Sequence, residues 1–140
     1  GTSIEASSAY IDVVKDETLK NGLAERVNFK QGDFTTTATD VDSADIVTLD
    51  KVICCYDDMS KLVGLSSKLA RKIYAVIYPR DVWWTKLALP MMNFYPRLKG
   101  SSFRVFIHPT KKVEKIIFGN GLKRNYYATT LFWQVAIFTR

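Results

Sequence analysis

Two carboxylates stand at the ends of short, strand-like segments in the first quarter of the chain. Glu5 lies near the end of the segment at residues 2–6, and Asp33 lies between Gly32 and Phe34 after the next such segment. A carboxylate can accept hydrogen bonds from two ribose hydroxyls or from the amino group of a base. Gly32 would let the backbone approach the ligand closely, and the ring of Phe34 could lie beside the base. The two segments therefore indicate a nucleoside-binding site.

Further candidates lie later in the chain. Tyr56 stands where a substrate-facing group could lie, and the adjacent Asp57 or Asp58 could cap the next helix. His108 is the only histidine, and it could act as a general base because its ordinary pKa is close to neutrality. It could instead be a loop histidine that only orders its turn. No spacing typical of a metal site occurs.

The elements that must position these residues alternate along the chain. Hydrophobic periodicity predicts the order β-α-β-α-β-α-β-α-α-β-β, with residues 123–140 forming one bent strand or two antiparallel strands. This order predicts a Rossmann-like α/β fold whose sheet is mostly parallel, with helices on both faces and an antiparallel C-terminal edge strand. Residues 45–56 are expected to be buried on both faces. Ligands of such sheets bind at the carboxyl ends of the strands.

Residues 81–99 form an apolar and aromatic segment that stands apart from the strands. We expect a helical element that covers the ligand cleft at the carboxyl ends of the strands or packs on a partner subunit. A large exposed apolar surface usually marks an interaction site. Core packing and contact with a membrane are the other roles open to this segment. Its large apolar members are Trp83, Trp84, Met91, Met92, Phe94 and Tyr95.

Charge and cysteine content limit the class of protein. Residues 1–64 hold 6 Lys/Arg and 12 Asp/Glu, a net −6, whereas residues 65–140 hold 14 Lys/Arg and 2 Asp/Glu, a net +12. The second half could face an anion, or its lysines could form a solvated face. Cys54 and Cys55 are read as reduced thiols of a cytoplasmic protein. The length fits one domain, residues 1–140, and no transmembrane segment is expected.

Four stretches together resemble the class I S-adenosylmethionine-dependent methyltransferases. The similarity is to the small-molecule enzymes that include the magnesium-protoporphyrin O-methyltransferase group. It extends over essentially the whole chain, with the elements in the family's order. The stretches are "IEASSAYIDVVKDE", "RVNFKQGDF", "ADIVTLDKVICCY" and "LFWQVAIFTR".

The resemblance implies S-adenosylmethionine as cofactor and assigns its contacts. Glu5 would hold the ribose hydroxyls and Ala6 would touch the adenine. Asp33 would bind the adenine amino group, with Gly32 and Phe34 beside it. Leu49 and Asp50 would lie along the methionine end. Other roles remain open: Glu5 could favour the start of the following helix, Asp33 could be an ordinary turn residue, and Asp50 could be a solvated strand end.

The family's first strand and its glycine-rich loop have no counterpart in this sequence. The expected sheet is therefore an N-terminally truncated one. The missing strand would leave two open edges, which invite pairing with another chain. We expect a homodimer whose contact includes residues 2–6, with weak or absent cofactor affinity.

Three functions remain open. The first is methyl transfer to a small, anionic or partly apolar acceptor. The second is a non-catalytic remnant of the fold that acts as an interaction or assembly domain. The third is a nucleic-acid methyltransferase, which the basic second half alone supports and which the absence of a nucleic-acid module disfavours. A nicotinamide dehydrogenase could share Glu5 but would not explain "QGDF" and "ADIVTLD".

Overall fold

A computed structural model describes residues 1–100 and 104–140, without the side chains of residues 89–90 and 95–97. Tyr95 of the apolar segment thus lies outside the described side chains. The helices and strands follow the predicted order. Their bounds are β1 Thr2–Glu5, α1 Ser8–Lys20, β2 Asn28–Gln31, α2 Phe34–Thr37, β3 Ala44–Asp50, α3 Met59–Leu69, β4 Ala70–Pro79, α4 Trp83–Leu98, α5 Thr110–Gly119, β5 Lys123–Thr129 and β6 Trp133–Thr139.

The chain divides into two compact units, Gly1–Val41 and Asp42–Arg140. In the first unit β1 and β2 form a two-stranded parallel sheet. Helix α1 connects them, and Gly22, two residues after its last residue, has a φ of +67° in the left-handed region. Leu23 N then donates to the carbonyl of Thr18 at 2.7 Å, as expected for this helix end. Ser7 occupies the N-cap position of α1, but its side chain makes no cap hydrogen bond.

The second unit is built on a four-stranded sheet in the order β3-β4-β6-β5. Strands β3 and β4 are parallel, and β6 runs antiparallel to both of its neighbours. The predicted fold class is confirmed, including the antiparallel pairing on the C-terminal side, where β5 forms the outer edge. Helices α3 and α5 pack against each other. The largest buried side chains of this unit are Tyr74, Tyr78, Phe138, Ile53, Met59, Leu62, Ile117 and Leu122.

The expectation that residues 45–56 are buried on both faces is wrong for β3. Ile46, Thr48 and Asp50 alternate along the strand on one face, and all three are exposed. The residues between them are half-buried. An apolar, β-branched run predicts a strand but does not reveal whether a second layer covers its other face.

Candidate functional site

The predicted nucleoside-binding residues of the first unit lie at the adjacent carboxyl ends of two paired strands. Glu5 ends β1 opposite Gln31, the last residue of β2. The N–H of Gly32 donates to the carbonyl of Glu5 at 2.9 Å, and Asp33 follows directly. Glu5 and Asp33 therefore occupy neighbouring strand ends, as the order of elements predicts. That they bind a ligand stays a prediction.

Asp33 is held in one orientation by the start of α2. It is the N-cap of that helix, and its Oδ1 accepts a hydrogen bond from Thr35 N at 2.8 Å. This is the turn role that the sequence left open. Gly32 has a φ of +149°, a region that favours glycine, so the bend before Asp33 requires that residue. A carboxylate fixed before binding loses less conformational entropy when a ligand donates to it.

The neighbours of Glu5 and Asp33 add to the group of residues at these two strand ends. Within residues 1–100 and 104–140, no hydrogen bond or ion pair engages the half-buried carboxylate of Glu5. Ala6 is exposed directly after it, and Phe34 is half-buried at the first position of α2. The strand ends thus present a carboxylate, a small residue and an aromatic ring together.

The second unit has its own group of residues where β3 ends. Leu49 is half-buried and Asp50 is exposed. The next residue, Lys51, has a φ of +56°, which is uncommon for a residue other than glycine and is a conformation found at functional sites. Its backbone N–H donates to the carbonyl of Ile77 at 2.9 Å. This hydrogen bond fixes the turn against β4.

Two cation–indole pairs lie at the same end of this sheet. The ammonium of Lys51 is 5.3 Å from the ring centroid of Trp133, and the guanidinium of Arg80 is 5.3 Å from that of Trp84. Trp133 pairs with Pro79, the residue before Arg80, so both pairs surround the carboxyl end of β4. Sequence reasoning missed Lys51 and Trp133, because only strand register brings them together. The excess of Lys/Arg in residues 65–140 could have pointed to Arg80 only, because Lys51 lies in the acidic first half.

Tyr56 lies beside a separate cavity of about 380 Å³ after β3. His108 lies close by, since its Nε2 donates to the carbonyl of Tyr56 at 2.9 Å. The His108 ring also stacks on Phe106, whose N–H donates to the carbonyl of Cys54 at 2.7 Å. These contacts are compatible with the turn-ordering role and leave only Nδ1 for acid–base chemistry, and both roles of His108 stay predictions. The cavity is lined by Cys55, Tyr56, Asp57, Asp58, Arg104 and Phe106.

Comparison with known proteins adds to this geometry. No protein-family profile and no curated protein matches the chain. Solved structures do match. The chain is similar to magnesium protoporphyrin IX methyltransferase from Synechocystis PCC 6803 with bound SAH, with a TM-score of 0.75 and 14% identity over 99% of this chain and 63% of that one. An O-methyltransferase family protein from Burkholderia thailandensis matches with a TM-score of 0.71 and 16% identity, over 100% and 43% of the two chains.

The fold is that of an S-adenosylmethionine-dependent methyltransferase. A third methyltransferase, the O-methyltransferase family 2 protein from Planctomyces limnophilus in complex with apigenin, has a TM-score of 0.70 and 14% identity, over 99% of this chain and 42% of its own. The resemblance seen in the four stretches is thus confirmed for the methyltransferase fold. The chain spans 42% to 63% of the length of these three methyltransferases.

Proposed function

We propose that this protein takes part in methyl transfer from S-adenosylmethionine to a small-molecule acceptor. The observation that carries the proposal is the pair of acidic residues, Glu5 and Asp33, at adjacent carboxyl ends of two parallel strands. The methyltransferase fold supports it. When bound, the cofactor supplies an electrophilic methyl group on a sulfonium ion.

The chemistry of the strand-end residues fits the nucleoside half of that cofactor. Its ribose carries two hydroxyl donors and its adenine one amino donor, and ionised carboxylates only accept. Glu5 would hold the hydroxyls, and Asp33 would accept from the amino group beside Phe34. That Leu49 and Asp50 contact the methionine part stays a prediction from the resemblance. These residues act by binding and orienting, which is the main requirement for an in-line transfer.

The acceptor we propose is partly apolar and anionic. The two cation–indole pairs at the end of β4 support this choice, because indole faces suit apolar ligands while Lys51 and Arg80 attract negative charge. Tyr56 and His108 remain the candidates for groups that face the acceptor. Their contact with each other through the Tyr56 carbonyl would keep both in place.

Ligand-observed NMR with S-adenosylhomocysteine tests the nucleoside site. We expect saturation transfer from the protein to the adenine and ribose protons. Glu5→Gln and Asp33→Asn should each lower the affinity at least about tenfold, because each removes a charged acceptor worth roughly 1.5–3 kcal/mol. Asparagine still caps helices, so the second variant keeps α2.

Glu25→Gln is the matched control, since Glu25 is an exposed acid of the same unit outside the strand ends. It should bind like the unsubstituted protein. Equal affinity in all four proteins would exclude the proposed contacts. Complete absence of binding by the unsubstituted chain would favour the non-catalytic interaction domain instead.

We further propose a homodimer in the cytoplasm. Among the described strands, β1 pairs only with β2 and β3 only with β4, so each has an edge that could accept another chain. The thiols of Cys54 and Cys55 lie 3.8 Å apart, within reach of an S–H···S hydrogen bond and with no disulfide between them, which suits a reducing compartment.

A further inference from the structure

Helix α4 carries a continuous stripe of large apolar side chains on its outer face. At 100° per residue, the five positions of the stripe fall within an arc of about 80°. Their side chains are between 62% and 79% exposed. They are Trp83, Leu87, Met91, Phe94 and Leu98. A stripe of this size is unusual on a surface that meets only water.

The opposite side of α4 is fixed to the rest of the second unit. The buried hydroxyl of Thr85 donates to the carbonyl of Arg80 at 2.6 Å. The side chain of Asn93 donates to the carbonyl of Val105 at 2.9 Å and accepts from its N–H at 2.8 Å. Because these bonds hold the polar face inward, the helix cannot roll its apolar stripe toward the sheet without breaking them.

Charge decides which partner the stripe fits. Residues 80–104 contain five Lys/Arg and a single acid, Asp81, whose carboxylate lies 2.6 Å from Lys86 Nζ. A second copy would bring the same net charge of +4 to the contact, and like charges would oppose the pairing. An anionic lipid surface instead offers negative charge and an apolar layer beneath it.

We propose that α4 lies in the interface of a membrane that contains anionic lipids. The apolar stripe would enter the boundary of the acyl chains, and the surrounding Lys and Arg residues would contact lipid phosphates. Among the described residues, no helix could cross a membrane. This proposal does not depend on the proposed methyl transfer. If both are correct, membrane binding would bring the protein close to acceptors that dissolve in the bilayer.

Vesicle co-sedimentation tests the proposal. The full chain should pellet with vesicles of phosphatidylcholine and phosphatidylglycerol, and less with phosphatidylcholine alone or at high salt. The double variant Leu87→Gln, Met91→Gln should lower partitioning by roughly tenfold or more, because it removes two apolar contacts without changing charge. Leu19→Gln, the same exchange on the exposed face of α1, should have no effect.

Two results would overturn the proposal. In one, the unsubstituted protein does not pellet with the vesicles, or the Leu87→Gln, Met91→Gln variant pellets as much as the unsubstituted protein does. The other is a dimer, measured by light scattering, that the same double variant dissociates, which would assign the stripe to a second copy. Circular dichroism of all variants, expected to match the unsubstituted protein, separates either result from unfolding.

Discussion

Cys54 and Cys55 are adjacent in sequence, yet their thiols have different surroundings. Cys54 is buried and its Sγ donates to the carbonyl of Lys51 at 3.1 Å, whereas Cys55 is exposed at the rim of the cavity beside Tyr56. Burial, together with the neighbouring Cys55, raises the pKa of the Cys54 thiol to about 12. Cys54 is therefore protonated and unreactive at neutral pH.

Alkylation with iodoacetamide should modify Cys55 first and Cys54 only when the chain unfolds. Because the folded pKa of Cys54 lies above its unfolded value of 9.0, its contribution to stability is complete below pH 9 and is lost as the pH rises toward 12. We expect Cys54→Ala to reduce the loss of stability between pH 8 and pH 10 in urea unfolding, whereas Cys55→Ala should not. Equal alkylation rates of the two native thiols would contradict this assignment.

Among the elements of the second unit, β4, β5, β6 and the start of α5 meet at one buried side chain. Gln134 of β6 donates to the carbonyl of Pro79 at 3.0 Å and to Thr110 Oγ1 at 2.9 Å, and it accepts from the hydroxyl of Tyr127 at 3.0 Å. Burial raises the pKa of the neighbouring Tyr78, which keeps its hydroxyl neutral. Gln134 thus joins the sheet to the first turn of α5.

Replacing Gln134 by Leu should lower the free energy of unfolding by roughly 1–3 kcal/mol. The apolar side chain leaves the Pro79 carbonyl and the Thr110 hydroxyl without this partner in a buried setting. Chemical denaturation measures the change. Gln31→Leu, at the exposed end of β2, serves as the control and should change stability by less than about 0.5 kcal/mol. A Gln134→Leu protein as stable as the control would show that the hydrogen bonds contribute little.

The order of elements was predictable because it depends on local patterns. The periodicity of "RKIYAVIYP" identifies β4, and Gly22 and Gly121 mark the ends of two helices with φ values of +67° and +83°. The exposed face of β3 and the Lys51–Trp133 contact were not predictable. Both depend on which strands become neighbours, and the residues in contact are 82 positions apart.

At the scale of the whole molecule, the open strand edges make association the expected behaviour. Asn28 N donates to the carbonyl of Gly1 at 2.8 Å and Gly32 N to that of Glu5 at 2.9 Å. Odd-numbered residues of β1 therefore bond to β2, and even-numbered ones such as Thr2 direct their N–H to the open edge.

That the two units act as one domain, residues 1–140, also stays a prediction.

Size-exclusion chromatography with light scattering should detect a homodimer. Thr2→Pro removes one outward N–H without touching the bonds to β2, so it should weaken dimerisation by roughly 0.5–1.5 kcal/mol per site. Asn125→Pro, at the irregular position on the β5 edge, should leave the dimer intact. A protein that stays monomeric at every concentration would rule out the dimer.

If the proposed nucleoside site is correct, the small sheet of residues 1–41 would link ligand supply to the lifetime of the protein. Strands β1 and β2 are only four residues long each, and a two-stranded sheet is marginal by itself. Such a region opens locally at low free-energy cost, and opened segments are what proteases cleave. A nucleoside that binds only the closed form would suppress opening in proportion to its concentration. Turnover in the cell would then rise when the cofactor is scarce.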